Sequence, residues 1–151
     1  MRLEGSCGCR AVTFSLESSG PVPYMRCYCS ICRKTTGSGG YSINLGGDFK
    51  SLEISGAENI SVYRATASCE RRFCKLCGSG LWVYSPDWPE LVHPFASAID
   101  TELPVPPEHT HIMLGSKVNW VPVVAAAGDS QFVAYPDESL ADWHKRHKFS
   151  Y

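Results

Sequence analysis

The chain has 151 residues, 44% of them hydrophobic and 19% charged, with a formal net charge of −1 and a pI near 6.5. That balance argues against a general nucleic-acid binder, whose domains are usually strongly basic. No apolar run approaches the roughly eighteen residues of a membrane span, and the opening MRLEGSCGCRAVTF has no apolar h-region. We therefore expect no membrane association, no secretory signal and a cytoplasmic location.

Taken in chain order, short β-like stretches recur between turn residues: 11–16, 23–28, 41–45, 52–55, 60–64, 81–84, 91–95, 111–114 and 121–126. In the first, Val12, Phe14 and Leu16 fall on one face and Thr13 and Ser15 on the other. In ISVYR, Ile60, Val62 and Arg64 share a face. Thirteen glycines and ten prolines punctuate the chain too often for long helices. One or two helical turns are expected after Ser30. The segment DESLADWHKRHKF, 137–149, carries Leu140, Trp143 and His147 on one helical face, which predicts a helix docked through Leu140 and Trp143. The GSGG at 37–40 is read as a turn, because no Lys-Ser/Thr follows to make it a phosphate loop. The expectation is a single, mainly β domain over 1–151 with short helices.

Eight cysteines dominate the chemistry. In a reducing compartment, clustered thiols read as metal ligands before disulfides. They form three groups: Cys7-x-Cys9, Cys27-x-Cys29-x-x-Cys32 and Cys74-x-x-Cys77-Gly78. A CxxC followed by glycine makes a tight turn with both thiolates facing one ion, glycine tolerating the positive φ. Cys7 and Cys9, two apart, would leave one face of a regular strand together. Joined to Cys74 and Cys77 they complete a four-cysteine site, which would clamp a long loop and contribute on the order of 10 kcal/mol to folding. Cys27, Cys29 and Cys32 then hold a second ion with only three ligands. Structural zinc sites have four protein ligands, whereas catalytic ones keep a position for water or substrate. Cys69, the one cysteine left over, is the first rival for the fourth place. A histidine is the next: His109 and His111 would share a strand face, and His93 lies nearer the middle. Sulfur-rich sets suit zinc or iron rather than a hard cation, and we read two zinc ions per chain.

At these residues the sequence resembles the glutathione-dependent formaldehyde-activating family, which also includes centromere protein V-like domains. The matching pieces are GSCGC at 5–9, CYCSICRKTTGS at 27–38 and RRFCKLCGSGLW at 71–82. Weaker matches are SAID at 97–100, the HI of 111–112, and Trp120. The motifs cover about 5–120, and 121–151 is expected to be an extension packing on the same domain. The resemblance implies an Mss4-like, β-tent fold, a structural zinc on Cys7, Cys9, Cys74 and Cys77, and a second zinc on Cys27, Cys29 and Cys32. Two positions depart from the family pattern: Arg10 stands where glycine usually follows the CxC, and Tyr28 where histidine is frequent. The resemblance also implies a carbon–sulfur lyase acting on a glutathione–aldehyde adduct, as in S-(hydroxymethyl)glutathione synthesis. Three thiolates on Zn²⁺ sum to −1, a weak Lewis acid, so the ion suits holding a thiol as thiolate better than polarising a carbonyl. Arg26, Arg33, Lys34, Arg71, Arg72 and Lys75 cluster near the cysteines by sequence. Of these, Arg33 and Lys34 are the candidates for the carboxylates of a small thiol partner such as glutathione. The other reading of the same residues is a non-catalytic zinc scaffold that binds a protein. The oligomeric state is not legible.

Overall fold

The alternation at 12–16 becomes strand β2 (Thr13–Glu17), with Phe14 and Leu16 buried, Thr13 and Glu17 exposed, and Val12 buried just before it. The computed structural model describes residues 1–148, so Phe149, the end of the expected terminal helix, lies outside the described residues. In chain order the elements are β1 (Arg2–Ser6), β2, β3 (Tyr24–Cys27), α1 (Ser30–Thr35), β4 (Ser42–Asn44), β5 (Gly47–Asp48) and β6 (Glu53–Ser55). Then follow β7 (Ile60–Arg64), β8 (Glu70–Cys74), β9 (Gly80–Tyr84), β10 (Leu91–Pro94), β11 (His109–Ile112), β12 (Ser130–Gln131) and α2 (Leu140–His147). The protein is mainly β with short helices, and no helix among the described residues is long and apolar enough to cross a membrane.

Three sheets share the work, in the orders β1-β2-β6, β5-β10-β9-β8-β7 and β12-β11-β3-β4. Pairing is antiparallel except where β11 runs parallel to both β3 and β12. Leu3, Val12, Phe14, Leu16, Val22, Leu45, Leu81, Trp82, Val92 and Trp143 form the main core, into which Cys7 and Cys74 are also built. Leu81, Trp82 and Val83 are buried in succession because β9 is covered on both faces. At the edge of the same sheet, β7 leaves Val62, Tyr63 and Arg64 exposed, so of the face shared by Ile60, Val62 and Arg64 only Ile60 packs against the core.

Strand β1 is absent from the sequence expectations because Gly5 breaks its apolar pattern. The glycine is required there: a Cβ would stand 2.4 Å from the Phe14 ring and 2.5 Å from the Ala98 carbonyl oxygen. The strand expected at 121–126 does not form. Pro122 has no N–H to give a ladder, and Val121, 2% exposed, instead fills the space against Gly40 of the GSGG turn. The expectation at 111–114 shifts to β11 because Met113 turns left-handed, with φ 61°. The terminal helix docks as its apolar spacing predicts, with Trp143 5% exposed, Leu140 half-buried and the His147 ring stacked 4.1 Å from that of Trp143.

Candidate metal centres

Two turns build the first cysteine group. Cys7 and Cys9 lie not on a strand but on the turn that follows β1, where Arg10 takes a left-handed φ of 60° and its N–H donates to the Cys7 carbonyl at 2.9 Å. The two sulfurs converge because the chain turns, not because a pleat alternates. Facing it, β8 ends at Cys74 and the chain turns through Cys77 to Gly78, whose φ of 78° carries the turn and whose N–H donates to the Cys74 carbonyl at 2.8 Å. Ser79 ties the turns together: its hydroxyl accepts the Gly8 N–H at 3.0 Å and lies 3.2 Å from Cys77 Sγ. That hydroxyl, followed by the Ser79 N–H, draws the Cys77 thiol down to about 5.

All four sulfurs lie within 4.8 Å of one another. Cys7 and Cys9 are 3.5 Å apart and Cys9 and Cys74 3.8 Å. Four thiolates at about 2.3 Å from a tetrahedral ion would stand about 3.8 Å apart, so the group fits such an ion.

The second group grows from β3 and α1. Cys27 closes β3; Cys29 caps α1, its sulfur accepting the Cys32 N–H at 3.3 Å; Cys32 follows one turn in. Their three sulfurs also lie within 4.8 Å of one another, and among the described residues no fourth Cys, His, Asp or Glu ligand atom joins them. Cys69, at the β7–β8 turn with its N–H on the Thr66 hydroxyl, is outside the group. The histidines are engaged elsewhere. His93 meets the Leu45 carbonyl, His109 and His111 meet Asp129, His144 meets the Val22 carbonyl, and His147 stacks on Trp143. Hydrogen bonds from the Cys27 and Cys32 thiols pull Cys29 down to about 2. The contact with Cys29, then that with Cys32, and then burial push Cys27 far up. Cys32 is raised as well: its bond to Cys27 lowers it, but Cys29 and burial outweigh that. A metal ion bound to the trio must displace whatever protons its thiols carry.

A shell surrounds this trio that the sequence did not single out. Arg71, on β8 and 6% exposed, donates from Nη2 to Cys32 Sγ at 3.2 Å and from Nη1 to the Thr35 hydroxyl at 3.3 Å. Asn44 Nδ2 lies 3.8 Å from the same sulfur. A buried guanidinium on a sulfur suits a thiolate centre, the donor chemistry a soft ion requires. Tyr28, between two of the cysteines, is 1% exposed; its hydroxyl meets His111 Nδ1 at 2.9 Å, and His111 Nε2 meets Asp129 Oδ2 at 3.2 Å. Met25, Met113 and Phe132 pack against Cys27, Cys32 and Ile112. From farther along the tail comes Tyr135, 67% exposed as a residue; its hydroxyl is pushed up first by partial burial and then by the nearby thiol groups of Cys27, Cys29, Cys32 and Cys69.

The expected substrate cations sit on α1 beyond Cys32. Arg33 is half-buried, with its Nε enclosed and without a hydrogen-bond partner, and Lys34 is exposed. Of the aromatics near the motifs, Tyr24, Tyr28 and Trp82 belong to the interior, Tyr41 is half-buried, and Trp120 is 60% exposed. A cleft of about 510 Å³ opens at the far end of α1, between Thr35, Thr36, Arg10, Ser79 and Asp100.

Two cysteine groups on a mainly β frame, each able to hold a metal ion, set the class of protein, and the comparisons with known proteins give its family. Residues 2–116 match the family model "Glutathione-dependent formaldehyde-activating enzyme". A protein of Halomonas elongata, provisionally named a glutathione-dependent formaldehyde-activating enzyme, is 56% identical over 151 residues, covering 97% of this chain and 96% of its own. A crystal structure of a Rhodobacter sphaeroides protein superposes with a TM-score of 0.57 at 27% identity, over 70% of this chain and 98% of that one. The chain belongs to the glutathione-dependent formaldehyde-activating enzyme family.

Proposed function

We propose that the protein is a zinc-dependent carbon–sulfur lyase that joins glutathione, or a similar small thiol, to formaldehyde or another small aldehyde and cleaves the adduct in reverse. The observation that carries this reading is the three-sulfur group, to which no fourth described ligand atom is added. On this reading Cys7, Cys9, Cys74 and Cys77 hold a structural zinc, and Cys27, Cys29 and Cys32 hold a second. Bound there, that zinc would supply a position at which an incoming thiol loses its proton and is held as thiolate. With the sulfur so activated, a bond to the aldehyde carbon would form as the carbonyl π bond opened. The oxygen takes up one proton, equal to the one the thiol gave, so the hydroxymethyl thioether forms without oxidant or reductant.

The chain's own residues would do the rest. Cys29 caps α1 and is fixed by the Cys32 N–H, while Tyr28, clamped by His111, holds the loop between the first two ligands. Arg33 and Lys34, one and two residues beyond Cys32, would meet the carboxylates of the thiol, arginine as a fork and lysine as a point charge. The family's name and the reduced cysteines both suit a cytoplasmic thiol substrate.

The test uses the protein loaded with cobalt(II) in place of zinc. Added glutathione is expected to alter the sulfur-to-cobalt absorption of one of two ions, and zinc-loaded protein to speed formaldehyde–glutathione exchange followed by NMR. Two ions that both ignore glutathione would leave a scaffold, not an enzyme.

A further inference from the structure

Arg71 is a buried cation for which the described residues offer no carboxylate. Arg72, next to it on β8, and Arg64, which stands opposite Glu70 on β7, both pair with Glu70, whereas Arg71 has no ion pair with any described Asp or Glu. A guanidinium withdrawn from water is strongly disfavoured unless an anion meets it. Arg71 touches three groups: the Cys32 sulfur, the Thr35 hydroxyl and, at 5.7 Å, the Phe95 ring. The hydroxyl passes its own proton to the Ile31 carbonyl at 2.7 Å, so it is a neutral acceptor, and the ring contributes only its quadrupole. Of these three, the sulfur is the one that can carry a full negative charge; the Cys69 thiol also lies within the field of Arg71, but burial pushes it up, toward its neutral form. A bulge between Arg72 and Phe73 breaks the alternation of β8, so one strand supplies Arg71 to the second cysteine group and Cys74 to the first.

We propose that Arg71 sets the net charge of the three-cysteine site so that it takes an anionic sulfur as its fourth ligand. This rests on the open-site reading given above. Three thiolates about a divalent ion sum to −1, and the guanidinium beside Cys32 brings the assembly to zero. An incoming thiolate then meets a neutral centre instead of a like charge. The same charge-assisted hydrogen bond withdraws electron density from the Cys32 sulfur, which slows its attack on electrophiles, an aldehyde substrate among them. Arg71 acts through Cys32 and is a positioning residue.

The experiment compares an anionic with a neutral ligand on cobalt-loaded protein. Glutathione, 2-mercaptoethanol and imidazole are titrated against wild type, Arg71→Met, Arg71→Gln and Arg71→Lys, following the cobalt absorption, with far-UV circular dichroism and cobalt count as controls for folding. Loss of the cation is expected to weaken both thiols by about tenfold or more, from Coulomb attraction over a few ångströms in protein. Imidazole binding should stay unchanged, and Lys should restore most of the thiol affinity. Cys32 should also be alkylated faster by iodoacetamide in the Met and Gln variants, read by peptide mass spectrometry. Equal weakening of thiols and imidazole would reduce Arg71 to a structural role, and unchanged thiol binding in the folded neutral variant would overturn the proposal while leaving the open site standing. A wild-type protein that binds no thiol would overturn both.

Discussion

The two cysteine groups differ in where they are built and in what surrounds their sulfurs. The first draws on turns 65 residues apart, between Cys9 and Cys74, and sets Cys7 and Cys74 into the main core beside Val12 and Leu81. Its outer sulfurs, Cys9 and Cys77, are exposed, and its polar helper is a serine. The second is local, contained within six residues, has a small apolar shell of its own, and is met by a buried arginine. A four-sulfur group that joins distant segments stabilises a fold. On the reading proposed above, a three-sulfur group that joins neighbours adds little to chain closure and keeps room for chemistry.

The largest effect that would break this comparison is on the clamp. Cys74→Ser is expected to unfold the protein or lower its melting temperature severely, since structural zinc contributes on the order of 10 kcal/mol. Thermal denaturation followed by circular dichroism measures it. Cys29→Ser should instead lose one of two metal ions, by elemental analysis, and all response to glutathione, with a melting profile close to wild type. Equal collapse in both variants would erase the division between the groups.

Smaller changes sharpen it. Ser79→Ala removes the hydroxyl shared by Gly8 and Cys77, contacts open to solvent, and should cost about 0.5–1.5 kcal/mol of stability in chemical denaturation. It should also weaken metal at the first group by roughly tenfold or more, with thiol binding at the second unaffected. The smallest effect concerns Asp129, which burial alone would raise. The N–H groups of His109 and Ala126 and the His111 ring more than offset that and hold its carboxyl well below the usual range. A carboxyl depressed on folding stabilises the protein above its unfolded value, about 3.9, and that contribution fades as pH falls below it. Asp129→Asn should therefore be less stable than wild type at neutral pH, with a gap that narrows as acid unfolding is approached. Parallel denaturation series at several pH values test this, and a gap independent of pH would assign the loss to packing.

Much of the second site is legible in sequence because its ligands are neighbours. The CxCxxC spacing places a cap and the following helical turn, and α1 forms where a turn or two of helix is expected. The convergence of Cys7 and Cys9 was expected for the wrong reason, a pleat in place of a turn at Arg10. Arg71 escaped because it stands among six cations that look alike in one dimension. Only strand pairing puts Arg64, Arg72 and Glu70 together and turns Arg71 inward. Asp129 and Tyr135 escaped because residues 127–136, between the stretches read as strand and helix, have no periodic pattern. The contacts of that segment come from β12 pairing with β11 and from the Phe132 N–H on the His111 carbonyl.

By itself the sequence determined the ligand type, the grouping of thiols by spacing, the mainly β character and the buried face of β2, because these depend on residues close in the chain. The tertiary structure alone decided which cation lies on a ligand sulfur, that Cys69 and the histidines stand apart from the trio, and that the tail reaches the second site. Those outcomes depend on burial and charge balance between segments brought together only by folding, and no local pattern encodes them.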